Sequence, residues 1–414
     1  MVVGMAPSYH ALPSGRRRSR NRAARAAPPC KGRATGSSPA GVGSAAVATL
    51  LHLELDAFRN LGRQAVEFAQ GVNLVVGKNG QGKTNLLEAI YCLAYQTSFR
   101  AAVSEPLVAA GAEVAALAAG VEAAGVRLRI ELALPRRGRR RCTLDGRPAS
   151  AAETLASCPV VLFAPDDLEL VRGPAAGRRA LLDRALALQR PETVALMRRY
   201  RRCLKQRNQL LKRAAEAPVS EAEHAAWEEE LAAGGAALQA AREAFCGRLA
   251  AVAGALFREL TAFPDPLEIR YNAAGAEAAV GEARAAWLAA ELRRRRPHDL
   301  RAGTTTLGPH RDDLVLALGG LDCRRFASQG QARAVAIALR VAQVVLYREA
   351  HATTPLLLLD DLFAELDAPR RERLARFLAD VGGQVVITAV AGELPGGLTP
   401  ERRLVVSRGR VRPA

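Results

Sequence analysis

The stretch Val72-Asn73-Leu74-Val75-Val76-Gly77-Lys78-Asn79-Gly80-Gln81-Gly82-Lys83-Thr84-Asn85-Leu86-Leu87-Glu88-Ala89-Ile90 decides how the rest of the chain is read. Its opening apolar run ends at a glycine, which predicts a short buried strand over 72–77. Leu86, Leu87, Ile90 and Leu93 then recur at helical spacing and predict a helix over 85–95. The turn between them, Gly77 to Thr84, fits GxxxxGK[ST] in full, and its place between a strand and a helix is what phosphate binding requires. Glycines admit positive φ and let backbone N–H groups approach an anion, and a helix N-terminus adds the positive end of its dipole. Lys83 can reach the β and γ phosphates of ATP, and the Thr84 hydroxyl can ligate Mg²⁺. The expected nucleotide contacts are therefore Gly77, Lys78, Asn79, Gly80, Gln81, Gly82, Lys83, Thr84 and Asn85.

Such a site needs a second half, an acidic residue at the end of another buried strand. Pro355-Leu356-Leu357-Leu358-Leu359-Asp360-Asp361 supplies it. Asp360 is expected to hold Mg²⁺ with Thr84, and Asp361 to orient or activate the attacking water. Lys83, Asp360 and Asp361 are thus the catalytic candidates of one site, although 277 residues separate the lysine from the first aspartate. A split α/β head interrupted by a long insertion explains that gap. The final section returns to α/β, with a helix over about 330–349, the strand 356–359, a helix over about 369–380 and a strand over 384–388.

The insertion reads as helical. Met197, Leu204 and Leu211 fall seven apart, as do Leu231, Leu238, Phe245 and Val252; Pro218 breaks the helix between the two sets, and Ser220 with Glu223 has capping-box spacing for a new start. Two antiparallel helices packed side by side follow, as an ordinary helical subdomain rather than a long coiled coil. The expected division is 1–48 as a disordered basic tail, 49–170 and 301–414 as the two halves of the head, and 171–300 as the helical insert.

Charge is unevenly spread. The chain of 414 residues carries 59 Lys plus Arg against 41 Asp plus Glu, a net +18 that favours a polyanionic partner. Residues 49–171 balance at 13 against 13, whereas Arg172–Arg213 holds 13 basic residues against 2 acidic ones. Arg198, Arg201 and Lys205 can line one helix face there and, with Arg179, are the candidate phosphate contacts to duplex DNA. Tyr200 is the one aromatic residue among them, which argues against a stacking platform for single strands. A solvated helix face is the competing reading. The tail, with eight basic residues and no acid in 1–48, reads as a nonspecific nucleic-acid arm, a transit segment or a product of an upstream start, with the physiological start expected near Val42 or Val47. Seven scattered cysteines without a CxxC pair argue against a disulfide framework or zinc site and fit a reducing cytoplasm. No apolar run reaches the length of a spanning helix, so no membrane partner is expected.

Several strings in fixed order resemble the RecF family of recombinational repair ATPases, whose heads are similar to ABC and SMC proteins. They are Phe58-Arg59-Asn60, the phosphate loop, Thr97-Ser98-Phe99-Arg100, VVLFAPDDLELVRG with Arg178-Arg179, Gly308-Pro309-His310-Arg311-Asp312-Asp313, Ser328-Gln329-Gly330-Gln331 and LLLLDDLFAELD, spanning about 50–408. The resemblance implies an ABC-type P-loop ATPase head, lobe I, with an inserted, mostly helical lobe II that contributes to DNA binding. It implies that Ser328, Gln329, Gly330 and Gln331 act as the ABC signature, Ser328 of one molecule facing the Lys83-bound ATP of another in an ATP-dependent homodimer. By itself that string is a helix N-cap. The resemblance further sets Arg59 and Asn60 beside the nucleotide, Glu365-Leu366-Asp367 near the dimer seam, Pro165-Asp166-Asp167 at the Q-loop equivalent and Thr388 where many ABC heads carry a switch histidine. His310 is read as buried and structural. The activity implied is weak, DNA-stimulated ATP hydrolysis that times a grip on duplex at gapped DNA, with RecR and RecO as partners and RecA loading as the outcome. Two rivals stay open: a transporter ATPase subunit, and a scaffold that binds ATP without useful turnover.

Overall fold

The phosphate loop and the acidic strand meet because one strand alone lies between theirs. In this computed structural model, which describes residues 48–101, 103–123, 125–261, 263–276, 282–390 and 394–414, a six-stranded sheet runs in the order Arg410–Pro413, Arg402–Ser407, Val72–Val76, Val385–Ala389, Leu356–Leu359, Val160–Phe163. Its last five strands are parallel, and Arg410–Pro413 pairs antiparallel at the edge. Leu356–Leu359 is covered on both faces, which is why it is an unbroken apolar run rather than an alternating one. Asp360, Gly77 and Thr388 are thereby carried to or just beyond the carboxyl ends of neighbouring parallel strands, where open α/β sheets place their ligands.

A second, antiparallel sheet runs in the order Gln64–Glu67, Thr49–Asp56, Val114–Ala123, Val126–Pro135, Arg141–Leu144, Arg147–Pro148. Its inner residues, among them Leu53, Leu117, Ile130 and Leu132, share one hydrophobic core with the mixed sheet and the helix Lys83–Tyr95. Residues 50–58 and 126–134 alternate apolar and polar residues because this sheet is half-exposed.

The two helices expected in the insert are Thr193–Ala214 and Glu221–Leu260, the second 40 residues long. Arg199 pairs with Glu230, Arg207 with Glu228 and Arg213 with Glu223, so as numbers rise on one helix they fall on the other; the packing is antiparallel. Ser220 accepts a hydrogen bond from the Glu223 N–H, which is half of the expected capping box. The division drawn at 300/301 is crossed. Leu267–Asn272 pairs antiparallel with Asp313–Leu318, in a three-stranded sheet that shares its core with the insert helices. A strand inside a predominantly helical insert found its partner on the far side of the boundary, a pairing that no local pattern announces.

One helix ties the two cores together. Gln329–His351 sends Val335, Leu339, Ala342 and Leu346 into the insert's core, and Ile337, Val341, Val344 and Tyr347 into the head's. It is apolar nearly all round because it is buried on opposite sides. The six described cysteines are free and buried. Among the described residues no helix is long and apolar enough to cross a membrane, and no cluster of His, Cys, Asp and Glu could by itself hold a metal ion. The readings of the tail and of the start near Val42 or Val47 lie outside the described residues.

Candidate active site

The loop from Gly77 to Thr84 closes as a tight backbone cup. Gly80 and Gly82 have φ of 78° and 119°, a region where a side chain is strained, and a Cβ on Gly77 would lie 2.5 Å from the Val406 carbonyl oxygen. The cup is held from behind: Arg408 N–H donates to Gln81 Oε1 at 2.7 Å, Gly409 N–H to the Gln81 carbonyl at 3.0 Å, and Asn60 Nδ2 to the same carbonyl at 3.1 Å. Gln81 is therefore a strut of the loop.

Lys83 is 3% exposed, and its ammonium donates to the Gly77 carbonyl at 2.8 Å and to Asn79 Oδ1 at 3.3 Å, with Asp361 Oδ2 at 3.5 Å. Thr84 donates its hydroxyl to Asp360 Oδ1 at 3.0 Å, and Thr388 donates to the same oxygen at 2.8 Å. The Thr388 hydroxyl in turn accepts the Asp361 N–H at 2.8 Å. Burial pushes the Asp360 carboxyl above its ordinary range, while the two hydroxyls pull it down. Asp361 sits in the left-handed region with φ of 45°, a conformation aspartate tolerates better than most residues. Its Oδ1 is buried without a hydrogen-bond partner. An oxygen left bare beside a lysine and a hydroxyl-bridged carboxylate suits a site whose ligand brings its own donors, and the Thr84–Asp360 pair is the hard-oxygen set that Mg²⁺ takes.

The cleft in front of these groups, about 450 Å³, is lined by Asn79, Gly80, Gly82, Lys83, Thr84, Asn85, Arg100, Pro165, Asp361 and Glu365. Arg100 was missed as a site residue, though it ends the TSFR string; it donates to Asn85 Oδ1 at 3.0 Å and lies 3.6 Å from the fully buried Glu88 carboxylate. Arg59 is engaged in an ion pair. Its guanidinium makes two hydrogen bonds to Glu88, at 2.9 and 2.8 Å, and it does not line the cleft; Ser98 donates to that same carboxylate. A buried carboxylate on the helix Lys83–Tyr95 claims the arginine, because an unpaired charge there would be costly. Its neighbour Asn60 is the one that touches the loop.

Asp166 and Asp167 also part ways. Asp167 is engaged by Arg340 at 2.6 Å and caps the Ala164 N–H, which leaves Asp166 exposed beside Pro165. Ser328 opens the helix Gln329–His351 with a full capping box against Gln331. None of Ser328, Gln329, Gly330 and Gln331 lines the cleft of their own chain. That helix touches the cleft through Arg333, which pairs with Glu365 at 2.9 Å.

On the insert, Arg198 and Lys205 are exposed and form no ion pair among the described residues. Arg201 is exposed but pairs with Asp183 at 3.3 Å. Arg179 does not belong to this face: it is half-buried and donates to the Asp312 carbonyl at 2.7 Å. Arg178 and Arg207 are buried in ion pairs with Asp313 and with Glu228 and Asp299, so they add nothing to a surface field. His310 bonds the Tyr200 hydroxyl and the Thr305 carbonyl, and burial lowers its pKa, the structural role expected of it.

A parallel sheet carrying a phosphate loop and an acidic strand end, split by a helical insert and flanked by a serine-capped helix, defines a head ATPase of the ABC and SMC class. The family model described as RecF/RecN/SMC N terminal domain matches residues 49–395. A DNA replication and repair protein RecF of Streptomyces avermitilis is 38% identical over 368 residues, covering 87% of this chain and 98% of the relative. A counterpart in Myxococcus xanthus is 38% identical over 360 residues, covering 86% and 94%. The solved structure of the recombination mediator protein RecF-ATP in the RecFOR pathway superposes with a TM-score of 0.83 at 29% identity, over 91% of this chain and 100% of that one. An Smc head domain from Pyrococcus furiosus, at 16% identity and a TM-score of 0.51, covering 89% and 96%, shares the fold. The chain belongs to the RecF family.

Proposed function

We propose that this protein is an ATP-dependent DNA-binding ATPase of recombinational repair and replication-fork maintenance, in which nucleotide binding drives a head dimer and hydrolysis releases it. The observation that carries the reading is one linked set of groups, Lys83, Thr84 and Asp361 lining the cleft with Asp360 and Thr388 bonded to them behind it, while Ser328 to Gln331 lie outside. The phosphates of ATP would replace the Asn79 and Asp361 contacts of Lys83 and take the bare N–H groups of the glycine cup. Thr84 and Asp360 would hold Mg²⁺, which neutralises charge on the phosphate oxygens when bound. Thr388 fixes the Asp360 carboxylate through one hydroxyl while anchoring the Asp361 backbone, so the metal-holding and water-orienting groups move together. Asp361 then accepts a proton from the water whose oxygen attacks the γ-phosphorus as the bond to the β–γ bridging oxygen breaks, leaving ADP and phosphate.

Each chain offers half of a complete site. Ser328 to Gln331 of one molecule would close on the γ-phosphate in the cleft of the other, so ATP favours the dimer by binding it better than the monomer. The dimer would join two basic inserts into a clamp on duplex at gapped DNA, with DNA stimulating slow turnover. Cooperation with RecR and RecO and loading of RecA on single strands belong to the same proposal and are supported by family membership. Sizing in solution with ATP, ADP and gapped DNA tests nucleotide, dimer and DNA together. A dimer with ATP that reverts to monomer with ADP is expected; an unchanged monomer under every condition would overturn the clamp.

A further inference from the structure

A hairpin in the head carries positive charge that no segment total reveals. Val126–Pro135 and Arg141–Leu144 are joined by Arg136-Arg137-Gly138-Arg139-Arg140, inside a region whose basic and acidic residues balance overall. Arg136 is spent on the Ala109 and Ala112 carbonyls, at 2.8 and 3.1 Å. Arg137, Arg139 and Arg140 are exposed and make no ion pair among the described residues.

The fold brings this hairpin against the insert. A groove of about 630 Å³ is walled on one side by Arg140 and on the other by Arg184, Arg198 and Arg201, which come from the helices Ala175–Gln189 and Thr193–Ala214. Its floor is the far end of the helix that begins at Lys83, at Tyr95 and Gln96. Four arginines from both lobes therefore line one space. Two features oppose them. Asp183, in the same lining, pairs with Arg242 at 2.8 Å and with Arg201 at 3.3 Å, so it offsets at most part of one. The C-terminal end of the floor helix contributes about half a negative charge. Three to four positive charges against that half are more than the fold needs for itself. Arg184 lies 5.8 Å from the Tyr91 ring centroid, a contact that orients the guanidinium without neutralising it.

We propose that this seam is a binding surface for the phosphate backbone of duplex DNA, built jointly by the head hairpin and the insert. The inference rests on the DNA reading above and assigns its path. Base stacking is not available here: Tyr95, the aromatic residue of the lining, stacks on Tyr91 at 4.4 Å and donates its hydroxyl to the Val160 carbonyl at 2.9 Å. Arginine forks over a polar floor suit phosphates and not base edges, so recognition is independent of sequence.

The test compares three double variants of the full chain with ATP and Mg²⁺ on a blunt duplex: Arg139→Gln with Arg140→Gln on the hairpin, Arg198→Gln with Arg201→Gln on the insert, and Arg376→Gln with Arg412→Gln as a charge-matched control away from the groove. The hairpin and insert variants are each expected to weaken binding on the order of tenfold and to lower the slope of log affinity against log salt by about 2. Melting temperature and ATP affinity should stay at the wild-type values, and the control should bind as wild type. A hairpin variant that binds normally while the insert variant does not would overturn the shared groove and leave the insert reading standing. Loss confined to the hairpin variant, or equal loss in the control, would also overturn it. Normal binding by all three would remove the DNA surface on the insert as well.

Discussion

The phosphate cleft and the helix Thr193–Ala214 use charge in opposite ways. In the cleft, charged and hydroxyl groups from three strand ends interlock at 2.8 to 3.5 Å, and Asn79, Gly80, Gly82, Lys83 and Thr84 of the motif line one space. On the insert helix, residues of one type part company: Arg207 is 1% exposed between Glu228 and Asp299, while Arg198 and Lys205 stand in solvent. The difference lies in what sets the geometry. A glycine loop between strand and helix has one backbone path, so its residues arrive together. A helix turns each residue by 100°, so its arginines are dealt to different neighbours.

The sharpest break of that comparison is Lys83→Ala, expected to cut ATP hydrolysis by about 100-fold or more and to abolish ATP-dependent dimerisation, with the melting temperature nearly unchanged. Radiolabelled phosphate release with sizing checks it, and retained turnover would mean the cleft is misassigned. Next is Arg207→Ala, which strands the buried Asp299 carboxylate and leaves Glu228 with Arg296 alone, and is expected to cost about 3 to 5 kcal/mol of stability, whereas Arg198→Ala should cost under about 0.5 kcal/mol. Denaturant melts of the two separate buried from exposed arginines on one helix. Thr388→Val keeps the shape but removes the hydroxyl shared by Asp360 and Asp361, and a fall of about tenfold in kcat with little change in ATP affinity is expected from steady-state kinetics.

The smallest effect concerns His310. Burial lowers its folded pKa below the ordinary 6.5, so the unfolded chain binds the proton more readily, and stability is lost as pH falls below about 6.5. His310→Gln should flatten that part of a melting-temperature profile; an unchanged profile would place the imidazole in water.

The head was legible because its signals are local. The strand at 72–76, the helix beginning at Lys83, the leucine strand and its aspartates all follow from short runs whose period and turn residues agree. Arg59 and Arg179 show the limit of such signals: an arginine in a motif looks available until its acceptor is known. The Glu88 carboxylate and the Asp312 carbonyl that hold them lie 29 and 133 residues away. Arg100 carried a signal in its string but none for its direction.

By itself the sequence determined that a phosphate loop, its acidic partner and a helical insert exist in this chain, since glycine tolerance, apolar runs and helical periods act over a few residues. Only the tertiary structure decided which arginines are counter-ions and which are surface. It also decided that a strand of the insert pairs across residue 300, and that a neutral-looking head segment turns Arg140 toward Arg198. Those outcomes depend on which distant group arrives to satisfy a buried charge or an open strand edge, and the closing of long loops, unlike the turning of a helix, leaves no period in the chain.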